Sequence, residues 1–227
     1  MKTNHQETIM LNKYHIDNLG FTLIELLIAM AITGIVSAGI FSAYHSQQNA
    51  QLSQKQAVEM QQNLRAALYI MTSDIRMAGY APDGTYSAGI TKIGDGSNGQ
   101  PLGFTFVELA DSDGIDNDSD GTIDEPGELK LQTVEYDLYD AYGDGDSDIG
   151  RKQGAASRQA IAENIQTLQF VYLDSSGIVT ANLSDIRSIQ IIIVATTDSN
   201  EIDYTNGKNN HRTLTTIVKC RNLGLQH

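Results

Sequence analysis

The sequence of 227 residues contains a single cysteine, Cys220, so no internal disulfide can hold its fold together. With no second Cys to act with, that thiol is expected to serve as a small apolar residue on a late strand. Basic residues are also scarce: 15 Lys and Arg stand against 28 Asp and Glu, a formal net charge of −13. Lys and Arg never cluster, which excludes nucleic acid as the main partner, because affinity for a phosphate backbone comes from grouped cations. Catalytic signatures are missing too. The five histidines (His5, His15, His45, His211 and His227) show no metal-ligand spacing with one another. No G-x-S-x-G elbow, phosphate-binding loop or dinucleotide fingerprint occurs. The carboxylates alternate in polar stretches and lack the apolar setting that would raise one of them for acid catalysis. The chain is therefore read as something other than an enzyme, with a length that suits one domain plus an extension.

What the chain does have is a run of nineteen residues, Leu26 to Tyr44, without a single charge. As a helix it would span about 28 Å, close to the hydrocarbon thickness of a bilayer. A polar segment precedes it, with Lys2 and Lys13 against Glu7 and Asp17, and then Gly20-Phe21-Thr22-Leu23-Ile24-Glu25. A secretory signal peptide would carry a shorter apolar core with its small-residue cleavage site after it. Here the glycine comes first, so a cut after Gly20 would leave the apolar segment attached. Glu25 is the residue least expected in such a run, since an unpaired carboxylate in lipid costs on the order of a few kcal/mol. Cleavage at Gly20 would create a cationic amine on Phe21. That amine, on the same or a neighbouring chain, would neutralise Glu25 in an apolar bundle and fix the axial register between helices.

The segment G-F-T-L-I-E-L-L-I-A-M-A-I-T-G-I, Gly20 to Ile35, resembles the processing and methylation signature of type IV prepilins and type II secretion pseudopilins. The resemblance implies cleavage by a prepilin peptidase after Gly20, methylation of the new amine of Phe21, and an assembly role for Glu25. Gly34 sits where pilin helices often carry a glycine, and Leu19 stands where the family usually places Lys or Arg. Residues 1–20 are then the leader, and residues 21–78 the transmembrane and stalk helix.

Past Tyr44 the chain turns polar with no helix breaker before Gly79, and Ser46–Gln62 is rich in helix-favouring Gln, Ala and Lys. Met60, Leu64, Leu68, Met71 and Ile75 recur at spacings of three and four, one apolar stripe suited to packing on the chain's own domain. Gly79 and Pro82 mark the end of the element. A helix from Phe21 to Ala78 would be about 87 Å long. The string Asp74-Ile75-Arg76-Met77-Ala78-Gly79-Tyr80 resembles the same helix end in PilW-type minor pilins, with the J-type minor pseudopilins as near relatives.

Residues 79–227 read as an extracytoplasmic β-rich domain. Residues 81–101 form a loop with room for a short strand, and strand-like runs follow at Leu102–Leu109, Glu128–Tyr139, Ile165–Leu173, Ile186–Ala195 and Leu214–Arg221. A short turn is expected near Ala155–Ala162. The fold class is α+β: a long N-terminal helix, half membrane-spanning and half amphipathic, packed on a C-terminal antiparallel sheet in the pilin manner. The stretches from Ile161 to Asp174 and Ile186–Val194 resemble the late sheet of the same minor pilins.

The net negative charge sits in one insertion. Residues 108–148 hold fifteen acids against Lys130, a local charge of −14, which leaves about +1 for the rest of the chain. Asp116, Asp118, Asp120 and Gly121 match the opening of an EF-hand-like loop, D-x-D-x-D-G, in which alternating short carboxylates curl around a hard cation. The twelfth position of that loop is Gly127, so Glu125 or Glu128 must supply any bidentate ligand, with Asp124 among the other donors. A looser cluster follows at Asp140, Asp144, Asp146 and Asp148. A divalent ion would relieve the mutual repulsion, and Ca²⁺ is the expected cofactor.

Together these features suggest a minor pilin subunit for type IV pilus assembly. It would enter the inner membrane as a single-pass precursor, meet prepilin peptidase, and pack against other pilins through its N-terminal helix outside the cytoplasm. The alternatives are a minor pseudopilin of type II secretion and a calcium-dependent adhesive tip module.

Overall fold

A computed structural model of the chain describes residues 20–82, 84, 86–110, 114–117, 119–124, 127–196 and 211–224. Among the described residues its elements are one long helix, α1 (Leu23–Met77), eight strands and a short 3-10 turn at Leu183–Asp185. The strands are β1 (Ile90–Ile93), β2 (Leu102–Leu109), β3 (Leu129–Tyr139), β4 (Asp148–Gln153), β5 (Gln159–Ala162), β6 (Ile165–Leu173), β7 (Ser188–Thr196) and β8 (His211–Lys219). The leader expected at residues 1–20 lies outside the described residues except for Gly20. The chain divides into two compact units, one ending at Gln48 and the other running from Asn49.

In the first unit, α1 carries no charge from Leu26 to Tyr44 and is apolar on every side along that run. Its large side chains from Leu23 through Tyr44 are exposed, Phe41 and Ile40 as much as Leu26 and Ile28. A helix apolar all round has no polar face to give to water and belongs in a bundle or in lipid. This helix is long and apolar enough to cross a membrane.

In the second unit the amphipathic stripe performs as its spacing implies. Met60, Leu64, Ala67, Met71 and Ile75 are buried, and Leu68 packs at the edge of the same core. The helix stops where Gly79 adopts φ +80°, a left-handed conformation that favours glycine. Its last turn tightens, with Ala78 N donating to Ile75 O and Tyr80 N to Met77 O, while Gly79 N donates to Thr105 O on β2. An added Cβ at Gly79 would also meet Leu223 Cδ2 at 2.6 Å. Helix end, β2 and C-terminal segment therefore close on one glycine.

The single antiparallel sheet expected from the strand-like runs is in fact two. One is five-stranded in the order β1-β2-β3-β4-β5, the other three-stranded in the order β6-β7-β8, and every pairing is antiparallel. The expected turn at Ala155–Ala162 is confined to its first residues, because Gln159–Ala162 forms β5 against β4. The break between sheets comes at Asn164, with φ +58°, in the two-residue link between β5 and β6. The loop at 94–96 stitches the two sheets: Leu138 N donates to Gly96 O, Phe170 N to Asp95 O, and the Tyr172 hydroxyl to Gly94 O at 2.6 Å.

Both sheets supply the core. β7 alternates strictly, with Ile189, Ile191, Ile193 and Ala195 buried. β2 is buried along Leu102–Val107 on both faces, with Phe104 stacked at 6.4 Å on Tyr136 of β3. Cys220 falls just after β8 and is buried, and burial pushes its thiol up to about 12. At that value the sulfur stays protonated and behaves as the small apolar group expected.

Candidate functional site

Gly20, Phe21 and Thr22 lie outside the helix, which begins at Leu23. The first turn is closed by two reciprocal contacts. Thr22 Oγ1 accepts from Glu25 N at 3.3 Å, and Glu25 Oε2 accepts from both Thr22 N and Thr22 Oγ1 at 2.8 Å. This is a capping box, T-x-x-E, in which each end of the turn satisfies the other's free donor. Thr22 is thus a capping residue that sequence reasoning missed, although the T-x-x-E spacing was there to be read. Glu25 is exposed and has a local partner within its own turn, while Phe21 is 90% exposed. Among the described residues nothing lies within 4 Å of a Cβ placed on Gly20.

The acidic residues form two loops, one between β2 and β3 and the other between β3 and β4. In the first, Asp116 Oδ1 accepts from Ser119 N at 2.6 Å and Oδ2 from Gly121 N at 3.0 Å. Asp120 Oδ1 accepts from Thr122 N at 2.8 Å, and Asp124 Oδ1 from Gly114 N at 2.8 Å. Glu128, buried at the loop's base, accepts from Asn117 N and from Asp124 N. Asp118 and Glu125, also expected as ligands, lie outside the described residues.

The second loop repeats this plan. Asp140 accepts from Gly143 N at 2.6 Å and Gly145 N at 3.2 Å, and Asp144 Oδ1 accepts from Asp146 N at 3.1 Å. The buried Asp148 accepts from Ala141 N at 2.9 Å, a contact that in the first loop Glu128 makes with Asn117 N, whereas Asp124, the residue in register with Asp148, accepts from Gly114 N. The sequences match in the same register: Asp116, Asp120, Gly121 and Asp124 against Asp140, Asp144, Gly145 and Asp148, a D-x-x-x-D-G-x-x-D pattern. Gly121 at φ +101° and Gly145 at φ +92° occupy equivalent left-handed positions. The second loop is therefore a counterpart of the first, closer than the D-x-D-x-D-G comparison alone implied. In both, the carboxylates are engaged by backbone amides. Among the described residues no group of three His, Cys, Asp or Glu side chains is arranged to hold a metal ion.

A third polar cluster joins helix to sheet within the second unit. Asp74 of α1 meets Tyr136 of β3 and Arg151 of β4, and Arg151 Nη1 reaches Gln153 Oε1 at 2.7 Å. Burial, first, and the neighbouring Asp74 charge hold the Tyr136 phenol well above its ordinary value, so it donates and stays neutral. The Asp74 hydrogen bond and charge raise the Arg151 guanidinium against the opposing effect of desolvation.

Residues 17–41 match the prokaryotic N-terminal methylation motif. Neither the curated proteins nor the solved structures contain a match to this chain. The motif covers Gly20, Phe21, the capping box and most of the uncharged helix. It supports a type IV pilin-like protein with an apolar N-terminal anchor, a structural subunit in kind.

Proposed function

We propose that this chain is a minor pilin subunit of a type IV pilus, made as a membrane-anchored precursor and cut between Gly20 and Phe21. Prepilin peptidase would then methylate the new Phe21 amine, and the subunit would leave the inner membrane to pack against other pilins through α1. The observation that carries this reading is the methylation motif laid over a non-helical Gly20–Thr22 and a helix apolar on all sides from Leu26 to Tyr44. Such a helix needs lipid before assembly and apolar neighbours after it. The PilW-type assignment draws its support from Asp74-Ile75-Arg76-Met77-Ala78-Gly79-Tyr80, whose Asp74 anchors α1 to the sheet and whose Gly79 ends it.

Deletion of the chain from its host should remove or thin surface filaments, and wild-type protein should restore them where Glu25→Ala does not. Unchanged filaments in the deletion strain would contradict the proposal. If filaments persist and protein secretion fails, the minor pseudopilin reading takes its place.

We also propose Ca²⁺ as a ligand of the first acidic loop, with Asp116, Asp118, Asp120 and Asp124 as donors and Glu125 or Glu128 completing the set. The same proposal extends to Asp144, Asp146 and Asp148. Its support is the D-x-D-x-D-G register, the charge of −14 across residues 108–148, and the repetition of one loop plan on both sides of β3. Binding would require oxygens now facing amides to share their remaining lone pairs. Calorimetric titration of the protein in detergent should show heat on adding Ca²⁺ and a raised melting temperature. No heat and no stabilisation would remove the ion, and with it the adhesive-tip alternative that depends on it.

A further inference from the structure

We infer that the Thr22–Glu25 capping box is what keeps the Gly20–Phe21 peptide bond out of α1 and open to a peptidase, which makes Thr22 a positioning residue for leader removal. The inference rests on the processing reading above and adds to it the device that exposes the bond. Peptide-bond hydrolysis needs the Gly20 carbonyl free: water adds to its carbon, the C–N bond breaks, and Phe21 leaves as an amine carrying the transferred proton. If α1 began two residues earlier, that carbonyl would accept the Ile24 amide in the i→i+4 ladder and would be turned along the helix axis. A binding cleft that pairs with extended backbone could not then reach it.

The apolar run gives the helix every reason to propagate toward its N-terminus, since lipid and neighbouring helices satisfy no free amide. Thr22 stops it. Its hydroxyl takes the Glu25 amide at 3.3 Å, and Glu25 returns its carboxylate to the Thr22 amide at 2.8 Å, so residues 20–22 remain non-helical. Independently, among the described residues nothing lies within 4 Å of where a Gly20 side chain would sit, so no described contact holds that residue. The only contacts that fix this boundary among the described residues are those between Thr22 and Glu25 and the first helical bond, Leu26 N to Thr22 O at 3.2 Å. Glu25 thereby has two separable duties. As a cap it needs only an acceptor oxygen; in assembly it needs a charge.

The test is cleavage of the full-length chain by prepilin peptidase in membranes, followed by pulse-chase and mass analysis of the product. Thr22→Val keeps the shape and removes the hydroxyl, and should slow cleavage roughly fivefold, the population shift that loss of one N-cap produces. Thr22→Asn restores an acceptor of different shape and should return the rate to near wild type. Glu25→Gln keeps the acceptor without the charge and should be cleaved normally yet fail to enter filaments. Equal rates for wild type and Thr22→Val would overturn the inference. So would slow cleavage of both Thr22→Val and Thr22→Asn, which would mean that the peptidase reads threonine itself. Absence of cleavage in the wild-type chain would instead strike the processing reading.

Discussion

Asp74 Oδ2 accepts two hydrogen bonds at once, from the Tyr136 hydroxyl at 2.5 Å and from Arg151 Nε at 2.7 Å, and so ties α1 to two adjacent strands. Asp74 and Arg151 are each about one-fifth exposed, which places this ion pair between the surface and interior regimes. Removing Asp74 leaves the buried Tyr136 hydroxyl without its acceptor and Arg151 without its ion-pair partner, though Arg151 keeps Gln153 and the Tyr136 oxygen. Asp74→Ala should therefore destabilise the protein by about 2 kcal/mol in chemical denaturation, and Asp74→Leu with Arg151→Met by less. A loss in the double variant as large as the sum of the separate Asp74→Leu and Arg151→Met losses would show that the charges act separately.

The core makes a second demand. Ile191 lies fully buried mid-way along β7, the central strand of its sheet. Truncation to Ala leaves a cavity that paired strands on both sides cannot collapse, and should cost about 3 kcal/mol. Ile217, on the neighbouring β8 but exposed, should tolerate the same change within about 0.5 kcal/mol. Parallel thermal melts of the two variants measure the contrast.

Gly79 offers a backbone test. At φ +80° and with Leu223 Cδ2 2.6 Å from a Cβ, Gly79→Ala meets both conformational strain and a clash. A loss of about 1–2 kcal/mol is expected from denaturation midpoints. Gly114, which has φ +75° but open space, carries the strain without the clash and should lose less.

Stability should also respond to pH in a set direction. Burial, ahead of all other causes, raises Asp137 and Asp148 above the ordinary 3.8, although Arg158 opposes it at Asp137 and backbone amides oppose it at Asp148. The folded state therefore binds these two protons more readily than the unfolded chain. The stability they contribute is full below 3.8 and is lost as pH rises through the raised folded values. Melting temperature should climb on mild acidification from neutrality toward about pH 4 (a window set by the ordinary 3.8), and Asp137→Asn with Asp148→Asn should flatten that climb. A monotonic fall in stability from neutrality would contradict the assignment.

Much of this architecture was legible in the order of residues alone. The uncharged run and the Met60-Leu64-Met71-Ile75 stripe announce α1, because a membrane span and a one-sided helix each leave a strong periodic signature. β2 and β6 were readable to the residue, since Leu102–Leu109 and Ile165–Leu173 are dense in β-branched and aromatic side chains. β4 and β5 were not. Asp148-Ile-Gly-Arg-Lys-Gln153 and Gln159-Ala-Ile-Ala162 carry one isoleucine each; β4 is a strand because β3 offers it an edge, and β5 because β4 in turn does. The split into two sheets hung on the left-handed Asn164, a conformation that no local pattern marks. The T-x-x-E box at Thr22 and Glu25 was plain in spacing but overshadowed by the charge argument for Glu25. The equivalence of the two acidic loops was readable in their shared D-x-x-x-D-G-x-x-D spacing, although Tyr142 in place of Asp118 breaks the D-x-D-x-D-G pattern that marks the first.

The most direct measurement of the central claim is N-terminal sequencing, with intact mass, of this subunit recovered from sheared filaments. The account predicts a first residue of methylated Phe21, followed by Thr-Leu-Ile-Glu. Recovery of the chain only from membranes, with Met1 or any residue of 1–20 still attached, would contradict it.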